Sequence, residues 1–371
     1  MIGKILYLLL TRPCRVRSVW PLLVVMVTIN TLVFVLFKPF DPYRTNKGAY
    51  LRDYFTKTTN SNEVKNIEKR FKNRRMTLSK ICDITYRDPS TLDLTFNEVM
   101  YKKSDKIYID EENKFVYCMV PKVASTSWRK LMLKVHLNKT WQEVNDYYFK
   151  LETYLNIILK TPAFVPQDKL KEIFGTYTTF LIVRDPYERI LSAWRNKFQE
   201  HPHVAGRDWY CDTYGKNIIK KYRNNELSKI PSYYDNLKDN NTDNDSTVGN
   251  YERSCDVTFN EFVRYLLDRD FHHDWLDEHW RSVQQLCHPC HVKYQYVLKY
   301  ETLLEDSNYI LEKIGWRDKV HFGQTKTGVS KVKSRSKLTE GYHSIMLKDF
   351  HKLYLKYGND FKMFGYQAPP I

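Results

Sequence analysis

Apolar positions change rhythm twice along the 371-residue chain. Residues 18–37, SVWPLLVVMVTINTLVFVLF, carry no charge, and their length matches the ~20 residues a helix needs to cross a bilayer. Residues 38–105 are polar and charged, as in TKTTNSNEVKNIEKRFKNRR, and read as a partly helical stem. Sustained apolar density begins near Ile107 and runs to Tyr366, interrupted by the polar stretch 234–254, an exposed loop. Within this domain FVYCMV (115–120) and TFLIV (179–183) are continuous apolar runs, the pattern of strands covered on both faces. After the first run, Trp128, Leu131, Met132 and Val135 recur at helical spacing. Two strand–loop–helix units of this kind predict an α/β domain with a mostly parallel central sheet. No internal repeat is present.

Charge orients the apolar run. Lys4, Arg12, Arg15 and Arg17 precede it with no acid among residues 1–17, so the positive-inside rule leaves this tail cytosolic and the rest luminal. A cleaved signal peptide is the alternative, but the run is long for one and KPFDPY offers no small-residue cleavage site. The expected layout is therefore a type II signal anchor: tail 1–17, transmembrane helix 18–37, stem 38–105 and luminal domain 106–371. The chain carries a net charge of +16, and only four of those charges belong to the tail. A luminal excess of this size favours polyanions, and an acidic polysaccharide or an anionic nucleotide suits a lumen better than nucleic acid.

Cysteine usage agrees with an oxidising compartment. Cys82, Cys118, Cys211, Cys255, Cys287 and Cys290 follow the anchor, and their pairing is open. Cys118, inside an apolar strand, reads equally as a buried free thiol. The CHPC at 287–290 could suggest zinc, yet lacks a second ligand pair, so a disulfide to cysteines elsewhere is expected. Asn138, Asn240 and Asn244 head glycosylation sequons.

The chemistry concentrates at two strand ends. The first loop runs Pro121, Lys122, Val123, Ala124, Ser125, Thr126, Ser127 and leads into the Trp128 helix. Unpaired N–H groups at a helix start attract an anion, Lys122 adds charge and the hydroxyls add donors, although the glycines of a P-loop are missing. The second junction reads VRDPYERILSA: Asp185 caps the helix, Pro186 takes its first position and Glu188 completes a capping box. Arg184 and Ser192, about two turns apart, can grip one phosphate, and Arg189 either joins them or pairs with Glu188. Two separate grips suit a ligand phosphorylated at two places.

PKVASTSW resembles the 5′-phosphosulfate loop, and VRDPYERILSA the 3′-phosphate motif, of sulfotransferases that use 3′-phosphoadenosine 5′-phosphosulfate (PAPS). The similarity is strongest to the Golgi carbohydrate sulfotransferases of the chondroitin/dermatan 4-O-, N-acetylgalactosamine-4-O- and HNK-1 group. It continues through RNKF (195–198), YGKNIIKKYR (214–223), VTFNEFVRYLL (257–267), DEHWRSVQQLCHPC (277–290), KYETLLEDSNYIL (299–311) and LYLKYGNDFKMFGY (353–366). The resemblance implies a P-loop-like sulfotransferase fold, PAPS as donor, and a Golgi enzyme acting on an acidic or amino-sugar glycan; because a sulfuryl group carries less negative charge than a phosphoryl group, no metal is expected. It implies sulfation of N-acetylgalactosamine, with the 4-O position favoured, and assigns charge stabilisation to Lys122. Relatives carry a histidine between the two loops, whereas TWQEVNDYYFKLETYL (140–155) has none, so His279 of DEHW is the candidate base, with His136 and Asp146 behind it. Ser125 and Ser127 stand where relatives have Cys and Asn. Alternatives are a catalytically silent polyanion binder of the same fold, which the missing histidine motivates, and a glycosyltransferase using Asp243-Asn244-Asp245.

Overall fold

Strand ends locate the site. The computed structural model describes residues 61–85, 95–146, 151–199, 207–223, 256–268, 277–323 and 341–367. The anchor 18–37, the tail, Asn240, Asn244 and the Asp243–Asp245 triplet lie outside these residues. Among the described residues no helix is long and apolar enough to cross a membrane.

The sheet has four strands in the order β1 (Ile107–Asp110), β2 (Phe115–Cys118), β3 (Thr178–Val183) and β4 (Tyr296–Lys299). β1 is an antiparallel edge, while β2, β3 and β4 run parallel. The mostly parallel expectation therefore holds. Cys118 aligns with Leu181 and Val183 with Lys299, so three strands end along one edge of the sheet. Open parallel sheets place ligands outside that edge. β2 is buried at every position and β3 at all but its first, which is why their sequences are continuous apolar runs.

Helices cover the sheet. Trp128 packs on Phe180 (5.0 Å) and Tyr117 (5.7 Å), beneath the start of helix Ser125–His136. Behind Pro186–Trp194 lies a second, aromatic-rich core in which Trp280, Phe198 and Phe262 meet.

Helix Ser61–Thr85, inside the segment read as stem, belongs largely to the folded unit, which runs from Lys65 to Ile371. It buries Ile67, Phe71 and Leu78, and Arg74 bonds the buried Asp306 at 2.6 Å. Its apolar residues are scattered through a strongly charged sequence, which is why hydropathy alone reads it as a spacer.

Two disulfides staple the unit: Cys82–Cys290 and Cys118–Cys287. The free-thiol reading of Cys118 is thus corrected, while each cysteine of CHPC pairs with a distant residue as expected. On a chain-entropy account, bridges closing loops this long stabilise by up to about 5 kcal/mol each. Cys118–Cys287 ties the strand that feeds the first loop to the helix Val283–Cys287 that follows His279. Cys211 is also disulfide-bonded.

Candidate functional site

The first loop makes its turn without glycine by forcing two ordinary residues into the left-handed region. Lys122 has φ 70° and Ala124 φ 72°, ψ 28°. Such strain is held only where the surroundings enforce it, and it collects at functional sites. Ala124 followed by helical Ser125 is the left-then-right order that turns successive N–H groups toward one point, an anion nest. The helix that starts there has no side-chain cap, so its positive end faces the loop. Val123 is fully buried and anchors the loop from below.

The second corner is built differently from its prediction. Asp185 caps as expected, accepting from Tyr187 N (2.9 Å) and Glu188 N (3.2 Å). Glu188 does not complete the box: its carboxylate pairs with Arg184 (3.1 Å), and Asp185 N–H is directed at Glu301 Oε1 (3.4 Å). Burial pushes the Asp185 carboxyl up to about 6, with Glu188 and Glu301 adding to the rise and the cap bonds opposing it. Arg184 is held on three sides. Besides Glu188, its Nη1 donates to Lys122 O (3.3 Å) and its guanidinium lies 4.3 Å over the Tyr300 ring. The two corners are therefore in direct contact.

A cleft of about 380 Å³ opens between them. Pro121, Lys122, Ala124, Ser125, Thr126, Ser127, Arg184, Ser192 and His279 all line it. Arg189 does not contribute to that lining. It is 1% exposed, and its three nitrogens donate to carbonyls: Pro121 (3.1 Å), Arg281 (2.7 Å) and Glu278 (2.9 Å). Its place is structural, with backbone oxygens rather than Glu188 as partners.

His279 sits at the cleft wall. Its Nδ1 is 2.7 Å from Asp277 Oδ1 and 3.1 Å from the Tyr210 hydroxyl, which itself donates to Asp277 Oδ2 (3.0 Å). Asp277 thus fixes the ring and leaves Nε2 as the nitrogen available to a ligand, the arrangement of an oriented general base. Burial pulls the imidazole below its ordinary range, Lys197 lowers it further, and Asp277 opposes both. The downward shift favours the neutral ring, the form a base requires.

The two reserve candidates fare differently. His136 Nε2 is bonded to buried Asp110 Oδ2 at 2.7 Å, at the end of β1 that pairs with the start of β2. That is the opposite edge of the sheet from the cleft. Asp146 ends the following helix, Trp141–Asp146. Asn138 is exposed with φ 47°, and the hydroxyl of its sequon partner Thr140 is engaged with Glu143 (2.9 Å).

Five lining residues were given no site role from the sequence: Arg129 and Phe322, and Asn196, Lys197 and Tyr300, which fall within the RNKF and KYETLLEDSNYIL segments that carry the family resemblance. Arg129 follows Ser125 by one helical turn, a spacing that would have flagged it. Its Nε is buried with no hydrogen-bond partner, as expected of a cation waiting for an anion. Lys122, Arg129, Arg184 and the helix start together put positive charge around one cleft. Among the described residues no cluster of His, Cys, Asp and Glu is arranged to hold a metal. The zinc reading of CHPC fails on its chemistry, since both sulfurs are in disulfides.

An uncapped helix start, a strained anion nest and an oriented imidazole around one cleft define an enzyme that handles anionic groups. A profile of the sulfotransferase family (Sulfotransfer_2) matches residues 105–367, and the chain belongs to that family. Among curated proteins, carbohydrate sulfotransferase 11 of Mus musculus is 32% identical over 265 residues, 71% of this chain and 67% of the relative. Carbohydrate sulfotransferase 10 of Homo sapiens is 30% identical over 292 residues, 76% and 73% of the two chains. Carbohydrate sulfotransferase 14 of Danio rerio is 34% identical over 265 residues, 71% and 62%. No solved structure matches significantly.

Proposed function

We propose that this enzyme transfers a sulfuryl group from PAPS to a hydroxyl of a carbohydrate, with N-acetylgalactosamine O-4 in a chondroitin- or dermatan-like chain the favoured acceptor. The observation that carries this reading is the convergence of Lys122 and the bare helix start, Arg184 and Ser192, and His279 on one cleft. His279 Nε2 takes the acceptor proton as the acceptor oxygen bonds to sulfur. The bond from sulfur to the 5′-phosphate oxygen breaks, and its electron pair leaves with adenosine 3′,5′-bisphosphate. Lys122, Arg129 and the N–H groups of the nest stabilise that developing charge. Arg184 and Ser192 hold the 3′-phosphate and fix the donor's direction. A sulfuryl group carries less charge than a phosphoryl group, so these fixed cations suffice without a metal in this reading.

The uncharged run 18–37 supports a type II Golgi anchor with this domain in the lumen, and the exposed Asn138 supports glycosylation there. Labelled PAPS with chondroitin, dermatan, heparan and N-acetylgalactosamine acceptors, followed by linkage analysis, tests the function. Label on O-4 of N-acetylgalactosamine is expected. Heparin binding without transfer to any acceptor would instead identify a silent relative.

A further inference from the structure

An aromatic shelf beside His279 is left unused by the donor site. Trp209 is 54% exposed, the only tryptophan among the exposed large apolar side chains of the described residues. Leaving an indole in water forgoes a large burial gain, and tryptophan is a residue type that commonly anchors partners. Trp209 stands edge-on to Tyr210 at 4.9 Å, and Tyr210 stands edge-on to His279 at 5.7 Å. Two ring-to-ring steps thus connect the exposed indole to the base. Lys197 lines the cleft with His279 and places Nζ 4.0 Å over the Tyr210 ring. The backbone here is also unusual. Arg195–Gln199 and Cys211–Gly215 are five-residue π-helical turns that pack against each other. Such turns hold well under ~1% of residues and gather at functional sites.

We propose that Trp209 and Lys197, joined through Tyr210, form the acceptor subsite, and that it takes a uronate-bearing glycan. A sugar ring lays its C–H-rich face on the Trp209 indole, where weakly positive hydrogens meet the electron-rich ring and water leaves both surfaces. The uronate next to the reacting sugar sets its carboxylate on Lys197, which positions the neighbouring hydroxyl at His279 Nε2. This proposal rests on the cleft being the sulfotransferase site.

The test uses unsulfated chondroitin oligosaccharides and their carboxyl-reduced counterparts as acceptors, at a pH where His279 is neutral in each variant. Trp209→Ala raises acceptor KM about tenfold or more, Trp209→Phe much less, and the affinity for adenosine 3′,5′-bisphosphate is unmoved in both. Lys197→Gln raises KM on chondroitin but not on the carboxyl-reduced chain. An unchanged acceptor KM in Trp209→Ala, or equal penalties for Lys197→Gln on both acceptors, overturns the subsite. Failure of the wild-type protein to bind the bisphosphate is a different outcome and overturns the donor reading. Calorimetry with the chondroitin oligosaccharide then still decides the shelf: heat that Trp209→Ala abolishes supports it, and heat that is absent or unaffected refutes it.

Discussion

Arg189 Nε donates to the Pro121 carbonyl oxygen across 3.1 Å, immediately before Lys122. The same guanidinium holds Glu278 O and Arg281 O, on either side of His279. One buried cation therefore ties the first loop to the segment that carries His279.

Arg189→Met leaves three carbonyl oxygens without their donor, and a loss of about 3–5 kcal/mol in denaturant-measured stability is expected. Arg189→Lys rescues little, because an ammonium cannot reproduce the planar fork. A loss under about 0.5 kcal/mol, the range of neutral surface changes, would contradict the keystone role.

Arg129 should behave in the opposite way. Its Nε is buried without a partner, so Arg129→Gln costs little stability or improves it. Donor KM should nevertheless rise about tenfold, the loss of one charge-assisted contact. Unchanged donor KM with reduced Tm would return Arg129 to the scaffold.

The pH–rate profile reports His279. Its lowered pKa places the acid limb of kcat/KM below the ordinary histidine range, with activity rising with pH and then level. Lys197 depresses that pKa, so Lys197→Gln shifts the limb to higher pH. Asp277 raises it, so Asp277→Asn shifts the limb lower while also reducing kcat through loss of ring orientation. A limb that ignores both substitutions would exclude His279 as the base.

Asp185 gives a stability signature. Its pKa rises from 3.8 to about 6 on folding, so the folded chain binds more protons across that interval. The contribution is fully present below pH 3.8 and is lost as pH rises through about 6. Asp185→Asn keeps an N-capping side chain without the charge, and should flatten this slope and hold stability near pH 7. Thermal melts from pH 4 to 7 check it; an unchanged slope would assign the effect elsewhere.

How much the sequence disclosed follows from what each signal depends on. Strands β2 and β3, the two loops and the cap at Asp185 were legible because continuous apolar runs and local cap chemistry carry them, whereas the short strands β1 and β4 were not singled out. Arg189's partners were not, since three backbone carbonyls distant in sequence leave no trace in residue type. Glu188 was misread for a different reason: its spacing suits a capping box equally well, but Arg184, only four residues earlier, took its carboxylate. Lys197 and Tyr210 reach His279 only through folding, so spacing could not join them. The helix Ser61–Thr85 was hidden by its polar exterior, and a tertiary disulfide from Cys82 fastens it to the domain.

The most direct measurement is a calorimetric titration of adenosine 3′,5′-bisphosphate into the wild-type chain, Lys122→Ala, Arg184→Ala and Ser192→Ala. The account predicts one site, with affinity reduced at least about tenfold by Lys122→Ala and Arg184→Ala alike, because each corner holds one phosphate. Ser192→Ala should lose less. No heat with the wild-type protein, or binding that survives removal of either cation, would contradict a single nucleotide spanning both corners.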